Sequence, residues 1–195
     1  MAIRTCDTCG DALRARHSHR ARFCSSKCRS KGFRASQRAL PVELTTRDRW
    51  IRRSATKVPL TVAGKAASST DPRTWSSYRE ASRSSAGAGL GFVLNGDGIV
   101  CLDLDHAISP DGSLTPWAED ILRKAGPTYT EVSPSGHGLH VFGFADVRHG
   151  RRIRRSGGYA VEAYGTGRYL TVTGDRFRNS PSALADISAL VDELT

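Results

Sequence analysis

The sequence predicts an α+β fold of mainly antiparallel strands with packed helices, preceded by a small N-terminal metal-binding module. Three observations lead to this prediction. Short β-rich runs recur in pairs after residue 90, and helix-start and helix-stop residues flank other segments. The first 35 residues are polar and contain four of the five cysteines. A segment this short and polar cannot fold on an apolar core alone, so we expect a bound metal to stabilise it.

The positive charge of the chain is concentrated in its first third. The formal net charge is +10. Residues 1–57 contain 15 basic and four acidic residues, a net +11, whereas residues 58–195 contain 14 basic and 15 acidic residues, a net −1. A basic segment beside a near-neutral domain favours a nucleic-acid partner over a merely solvated tail.

The composition also restricts the compartment. No apolar run approaches the ~18 residues that a membrane span needs, and the N-terminus lacks the apolar core of a signal peptide. We therefore expect a soluble, cytoplasmic protein with no membrane partner. In a reducing compartment, five cysteines favour metal binding or free thiols over disulfides.

We divide the chain into three parts. Residues 1–35 form the zinc-binding module, residues 36–56 a basic connector that is helical around Arg47–Arg53, and residues 57–195 the larger domain. Within that domain, Asp71-Pro72 predicts a helix start with Asp71 as N-cap. Two runs, Leu90–Leu94 and Ile99–Asp105, are joined by an Asn-Gly-containing segment, which predicts a β-hairpin.

The rest of the larger domain alternates helices with strand pairs. Thr115-Pro116 begins a helix that Gly126 ends. Further predicted elements are a strand pair (Thr128–Ser133 and Leu139–Phe144), a basic loop (Arg148–Arg155), another strand pair (Tyr159–Tyr164 and Arg168–Thr173) and a C-terminal helix (Ser182–Leu194).

Carboxylates alternate with apolar residues in the run Ile99–Asp105. Strand alternation places Asp103 and Asp105 on one face, about 6.6 Å apart along the strand. Like charges at such positions repel, and a bridging Mg²⁺ or Mn²⁺ ion, which prefers oxygen ligands, would relieve the repulsion. Glu162, on the polar face of a later strand, could complete a three-carboxylate site. The alternative is that these exposed acids only keep the strands soluble.

The loop Ser133–His140 contains glycines and histidines. Glycines allow the backbone to approach a ligand closely, and the loop amides, the Ser135 hydroxyl and an imidazole can donate to phosphate oxygens. The alternative is an ordinary glycine-rich hairpin loop with an exposed histidine. The spacing of His137 and His140 would also suit zinc, but the sequence offers no third ligand nearby.

The first four cysteines have the spacing of a structural zinc site. Cys6-x-x-Cys9 and Cys24-x-x-x-Cys28 are separated by 14 residues, and the second pair resembles that of short Cys₄ zinc modules, in which it opens a helix. We therefore predict one structural zinc ion. His17 and His19 are possible substitute ligands.

Basic residues surround these cysteines with few aromatic residues among them, which favours contacts with the phosphate backbone over base stacking. They are Arg14, Arg16, Arg20, Arg22, Lys27, Arg29, Lys31, Arg34 and Arg38. The fifth cysteine, Cys101, lies on the same predicted strand face as Asp103 and is interpreted as structural.

Taken together, these motifs resemble the archaeo-eukaryotic primase superfamily, specifically the primase-polymerase domains of phages and plasmids. The resemblance runs from about Lys57 to Asp175, and its segments occur in the order typical of that family. They are Lys57–Leu60, Ser69–Pro72 with Trp75, Leu102–His106, Ser133–His140, Val161–Tyr164 and Gly167–Gly174.

The resemblance implies an RRM-like palm with an added N-terminal α/β layer, acting as a DNA-templated nucleotidyltransferase, a primase or a DNA polymerase. Asp103, Asp105 and Glu162 would hold two Mg²⁺ or Mn²⁺ ions. The residues that would contact the triphosphate are Ser135, His140 and Arg168. The implied partners are single-stranded or primer-template DNA and NTP or dNTP. No helicase motif is present, so we expect a separate replicative helicase. A phage origin, and with it the host cytoplasm, also follows from the resemblance.

Two other classes of function remain open. A replication initiator that nicks and joins DNA through a tyrosine has a similar palm, but typically carries His-hydrophobic-His on a strand. A non-catalytic, zinc-containing DNA-binding protein would explain the basic N-terminus but gives the acidic residues no purpose.

Overall fold

The chain folds into two compact units, Met1–Ala39 and Leu40–Thr195. The structure, a computed structural model, describes residues 4–14, 17–18, 20–37, 39–147, 151–154 and 159–194. The larger unit contains two antiparallel sheets with helices packed against them, so the predicted α+β class is confirmed. No helix in the described ranges is both long enough and apolar enough to cross a membrane.

The elements follow one another in a mixed order. The helices are α1 (Ser26–Gln37), α2 (Val42–Thr45), α3 (Tyr78–Arg83), α4 (Pro116–Ala125) and α5 (Ser188–Leu194), with a 3₁₀ helix at Pro72–Thr74. The strands are β1 (Trp50–Arg53), β2 (Pro59–Leu60), β3 (Gly89–Asn95), β4 (Ile99–Leu104), β5 (Thr130–Val132), β6 (Leu139–Phe144), β7 (Arg151–Arg154), β8 (Ala160–Tyr164) and β9 (Thr166–Val172). One sheet has the order β2-β1-β3-β9 and the other β5-β6-β4-β8-β7.

Two apolar layers hold the larger unit together. On one face of the five-stranded sheet, Leu102 and Leu104 pack with residues of α4 and α5 such as Ile121 and Leu190. On the other face, the residues of β4 and β6 pack against those of the four-stranded sheet. Because β4 is covered on both faces, it is apolar at nearly every position, as central strands usually are.

Local signals predicted the helix α4 well. Pro116 occupies its first turn after Thr115, and Gly126 ends it with a positive φ of 66°. The helix start at Asp71 is confined to the short 3₁₀ turn, whose amide at Arg73 donates to the Asp71 side chain. The C-terminal helix begins at Ser188, later than predicted.

The predicted hairpin of β3 and β4 is wrong. β3 pairs with β1 and β9, whereas β4 pairs with β6 and β8 in the other sheet. The Asn-Gly segment turns the chain so that Phe92 of β3 and Cys101 of β4 share one apolar cluster between the sheets. Arg49 stabilises this crossover by donating to the side chains of Asn95 and Asp97.

The predicted pairing of β8 with β9 is wrong for the same reason. β8 pairs with β4 and β7, and β9 pairs with β3 in the other sheet. Gly165 makes this second crossover beside the first, where its carbonyl accepts the amide of Gly96 at 2.9 Å. The described part of the predicted basic loop forms β7 at the edge of the sheet. The pairing of β5 with β6 is as predicted.

The segment predicted as a helical connector belongs in part to the larger unit, which begins at Leu40. The prediction of a helix around Arg47–Arg53 is wrong, since Trp50–Arg53 forms β1 and pairs with β3. Trp50 is fully buried, and its indole N–H donates to the carbonyl of Leu44 at 3.0 Å. Burial of this large aromatic side chain outweighs the helical pattern of the basic residues around it.

Candidate active site and cysteine cluster

One cross-strand row of the five-stranded sheet consists of ionisable residues. The register aligns Glu131, His140, Asp103 and Glu162 across β5, β6, β4 and β8. Cross-strand partners lie on the same face of a sheet. This is the face of Cys101, which looks toward the four-stranded sheet, so strand pairing alone brings the four groups together.

A cavity of about 220 Å³ opens where the two sheets separate beyond the apolar cluster. Asp103, His140 and Glu162 line it from the five-stranded sheet, and Arg168 lines it from β9. Four of the six predicted active-site residues therefore meet in one cavity. Its walls combine carboxylates with basic groups, which suits a ligand that carries both metal ions and phosphates.

The two other predicted residues lie outside the cavity wall. Asp105 is exposed in the turn that follows β4, where His106 has a positive φ of 58°. Ser135 is exposed in the loop before β6, and its hydroxyl lies 3.0 Å from that of Ser133. Strict strand alternation from Asp103 to Asp105 was thus wrong, because β4 ends at Leu104.

The Asp103 carboxyl is electrostatically unfavourable as an anion. Burial raises its pKa above the ordinary value, and the negative charges of Asp105 and Glu162 raise it further. His140 and Lys57 act in the opposite direction. The charge of Asp105 therefore reaches Asp103 even though its side chain stands in an exposed turn.

The fully buried carboxylate of Glu131 contacts the His140 ring on the side away from Asp103. The Nδ1 atom of the ring lies 3.2 Å from Glu131 Oε1, and its Nε2 atom lies 3.7 Å from Asp103 Oδ1. Because Glu131 Oε1 already accepts the amide of Thr173, we assign the imidazole proton to Nδ1, which then donates to the same oxygen. The Nε2 atom is thereby the one presented beside Asp103.

Glu131 is the centre of a saturated hydrogen-bond network. Its Oε1 atom also accepts the amide of Thr173 at 3.0 Å. Its Oε2 atom accepts the amide of Gly174 at 3.0 Å and the hydroxyl of Tyr129 at 2.8 Å. A buried carboxylate is tolerated only with such partners. This network ties β5 and β6 to the segment that follows β9.

We predict that Glu131→Gln will lower the free energy of unfolding by about 1–3 kcal/mol, because the new amide nitrogen replaces an oxygen that accepts two of the four hydrogen bonds, one of them from a backbone N–H. Urea unfolding followed by circular dichroism measures the change. Glu119→Gln, at an exposed position on α4, is the matched control and should change stability by less than about 0.5 kcal/mol. Equal stability of wild type and Glu131→Gln would contradict the role of the network.

A stacked pair of side chains positions Arg168. Its guanidinium lies 4.7 Å from the centre of the Tyr164 ring, and the Tyr164 hydroxyl donates to Glu162. Burial, together with this hydrogen bond to a carboxylate, raises the pKa of Tyr164 to about 12. The tyrosine therefore stays protonated and links an acidic and a basic group of the cavity.

The sequence did not identify several residues of this site: Lys57, Glu131, Tyr164 and Tyr169. Glu131 offered a usable signal, since it is a charged residue inside a predicted strand next to the loop Ser133–His140. The other three lie within the motif segments Lys57–Leu60, Val161–Tyr164 and Gly167–Gly174, but only the tertiary structure shows that their side chains line the cavity.

The four N-terminal cysteines form a compact cluster in the smaller unit. Their sulfur atoms all lie within 4.8 Å of one another, with Cys24 Sγ 3.5 Å from Cys28 Sγ and 3.6 Å from Cys9 Sγ. Four thiolates bound tetrahedrally at 2.3 Å would be about 3.8 Å apart. The cluster could therefore hold a metal ion such as zinc.

Hydrogen bonds from backbone amides to Cys6 favour its thiolate form, which is the form that binds a metal ion. The amide of Cys24 donates to Cys6 Sγ at 3.4 Å. Burial by itself would raise the pKa of the Cys6 thiol, but backbone amides, that of Cys24 foremost, lower it to about 6. The ring nitrogens of His17 face the carbonyls of Arg14 and Cys24 instead of joining the cluster. His19, like Arg16 and Arg38, lies outside the described residues.

The two sites differ in how closely their ligand atoms approach. Among the described residues, the cysteines are the one group of three or more His, Cys, Asp or Glu side chains close enough together to hold a metal ion as they stand. Asp103 and Glu162 share a cavity without such an approach. Their oxygen donors nevertheless fit Mg²⁺ or Mn²⁺. The pKa of Asp103 is raised by burial first and then by the like charges of Asp105 and Glu162, and a bound cation would offset both effects.

Carboxylates, a histidine and an arginine thus meet in a cavity between two antiparallel sheets. These residues belong to the motifs that resemble those of a primase-polymerase, and comparison with known proteins confirms that resemblance. The chain is 40% identical over 138 residues to the DNA primase-polymerase of Nitratiruptor phage NrS-1. The match covers 66% of this chain and 19% of the phage protein, so the chain spans about a fifth of the length of that relative. No family model matches the chain.

Proposed function

We propose that this chain is a DNA-templated nucleotidyltransferase that makes or extends primers in DNA replication. The observation that carries the proposal is the cavity that Asp103, His140 and Glu162 line from one sheet and Arg168 lines from the other. The relationship to a phage DNA primase-polymerase supports it. The reaction would join the primer 3′-oxygen to the α-phosphorus of a nucleotide, break the bond from that phosphorus to the bridging oxygen, and release pyrophosphate and the hydroxyl proton.

The residues would divide this work by charge. Asp103, Asp105 and Glu162 would hold two Mg²⁺ or Mn²⁺ ions, which when bound lower the pKa of the 3′-hydroxyl and offset charge on the triphosphate. His140 and Arg168 would bind the triphosphate and orient its α-phosphorus. Ser135 would reach the same phosphates from its exposed loop.

The smaller unit would serve DNA binding. One structural zinc ion, held by Cys6, Cys9, Cys24 and Cys28, would stabilise it. Its arginines and lysines would contact the phosphate backbone of single-stranded or primer-template DNA. A separate replicative helicase would supply unwound template in the host cytoplasm.

A primer-synthesis assay tests this function. The full chain is incubated with single-stranded DNA, with and without a primer, in Mn²⁺ or Mg²⁺, and with labelled NTP or dNTP pools supplied separately. We expect labelled products that grow along the template. The two pools show which nucleotide is preferred, and the primer-free arm shows whether synthesis can begin de novo.

The same assay separates the competing functions. Covalent protein–DNA adducts without incorporation would indicate a nicking and joining initiator. Binding of DNA with neither product would indicate a non-catalytic binding protein. Either outcome would contradict the proposed function.

A further inference from the structure

Lys57 stands at the tip of the β1–β2 hairpin in a backbone conformation that lysine rarely adopts. Its φ is 62°, in the left-handed region that glycine adopts freely and that L-residues other than asparagine and aspartate mostly avoid. Its amide donates to the carbonyl of Ser54 at 3.1 Å. Strained residues of this kind often lie at functional sites, where the surrounding structure holds them in place.

The hairpin tip is fixed against β9. The Tyr169 hydroxyl donates to the carbonyl of Lys57. The Tyr169 ring crosses β3 at Gly91, where a Cβ atom would lie only 2.5 Å from the ring atom Cδ2. The absence of a side chain at Gly91 therefore lets the ring lie across β3 and reach the hairpin. This places Lys57 at the wall of the cavity that Arg168 also lines.

The ammonium group of Lys57 is available to a ligand. No ion pair or hydrogen bond of this group is found within the described part of the chain, yet its positive charge acts on Asp103. The ammonium group thus lies near the carboxylates without pairing with any of them. Such a cation can bind an anion that enters the cavity together with metal ions.

We propose that Lys57 is a phosphate-binding residue, which contacts the triphosphate of the incoming nucleotide from the side of the hairpin. This inference rests on the proposed function, since it assigns a further ligand to the same cavity. Phosphates of DNA share this chemistry. We favour the triphosphate because Lys57 lines the same cavity as His140 and Arg168, the other two residues that would bind it.

Lys57→Gly tests the proposal without endangering the fold, because glycine adopts a positive φ readily. We expect an unchanged or higher midpoint of thermal unfolding. We also expect a KM for nucleoside triphosphate that is about tenfold higher, as for loss of one charge-assisted contact. Lys57→Asn, which also tolerates this conformation, should behave alike, and Lys57→Arg should keep the KM within about threefold of wild type.

Lys65→Ala is the matched control, since it removes an exposed lysine near the same hairpin that does not line the cavity. It should leave the KM unchanged. An unchanged nucleotide KM in Lys57→Gly, an equal rise in Lys65→Ala, or a rise confined to the KM for DNA would overturn the proposal. Binding of a fluorescent nucleoside triphosphate with Mn²⁺ is measured in parallel. If wild type fails to incorporate nucleotides, the proposed function fails, and this binding measurement still decides the role of Lys57.

Discussion

Replacing Asp103 with asparagine should abolish nucleotide incorporation while leaving the protein folded and able to bind DNA. Asp103 pairs in register with both His140 and Glu162, and only 22% of its side chain is exposed. Asparagine keeps the shape but removes the charge that would hold a metal ion. Loss of several kcal/mol of transition-state stabilisation corresponds to a decrease of about a thousandfold or more in rate.

The stability of this variant gives an independent check. The pKa of Asp103 is higher in the folded protein than in the unfolded chain. Ionisation of this carboxyl therefore lowers the stability of the fold as the pH rises above the pKa of the unfolded chain. At neutral pH, Asp103→Asn should therefore unfold at the same or a higher temperature than wild type. A loss of activity with retained stability separates a functional role from a structural one.

Asp192→Asn is the matched control, because Asp192 is exposed on α5 and does not line the cavity. It should incorporate nucleotides at the wild-type rate. Asp105→Asn tests whether the exposed turn delivers a second ligand, and we expect it to abolish incorporation as well. Near-wild-type incorporation by Asp103→Asn would rule out the proposed metal site.

Removal of the metal should unfold the smaller unit and leave the larger unit folded. Among the side chains described in residues 4–32, Cys6 is the one buried apolar side chain, so this described part of the unit has almost no apolar core. Structural zinc contributes about 10–16 kcal/mol in small modules of this kind. We expect one zinc per chain by elemental analysis, and loss of NMR dispersion for the smaller unit alone upon chelation.

Cys24→Ser should reproduce the effect of the chelator, because Cys24 lies within contact distance of two other cysteines of the cluster. Cys101→Ala, which removes the buried thiol of the larger unit, should retain one zinc per chain. Protein prepared without chelator that contains no zinc, and whose smaller unit is still folded, would count against a zinc site.

Short-range patterns were enough to predict much of this protein. The strands β3, β4, β5, β6, β8 and β9 and the helix α4 between Thr115 and Gly126 follow from signals within a few residues of one another, and the cysteine cluster follows from the spacing of two cysteine pairs. Such features depend on local backbone preferences and on the spacing of ligand residues, both of which can be read from short stretches of sequence. The same holds for the motifs that contain Asp103, His140 and Glu162.

The tertiary structure alone decided which strands pair. The Asn-Gly segment after β3 and Gly165 after β8 both reverse the chain, but a turn does not determine whether two strands meet edge to edge or face to face. Burial of Phe92 and Cys101 in one cluster favours the face-to-face arrangement. That choice opens the cavity between the sheets, with Lys57 and Arg168 on one side and Asp103 on the other.

The sequence by itself therefore determined the local elements and the chemistry of the motifs. Long-range packing decided which of these residues meet in the site. No periodic pattern in the sequence indicates a contact between residues as far apart as Lys57 and Tyr169.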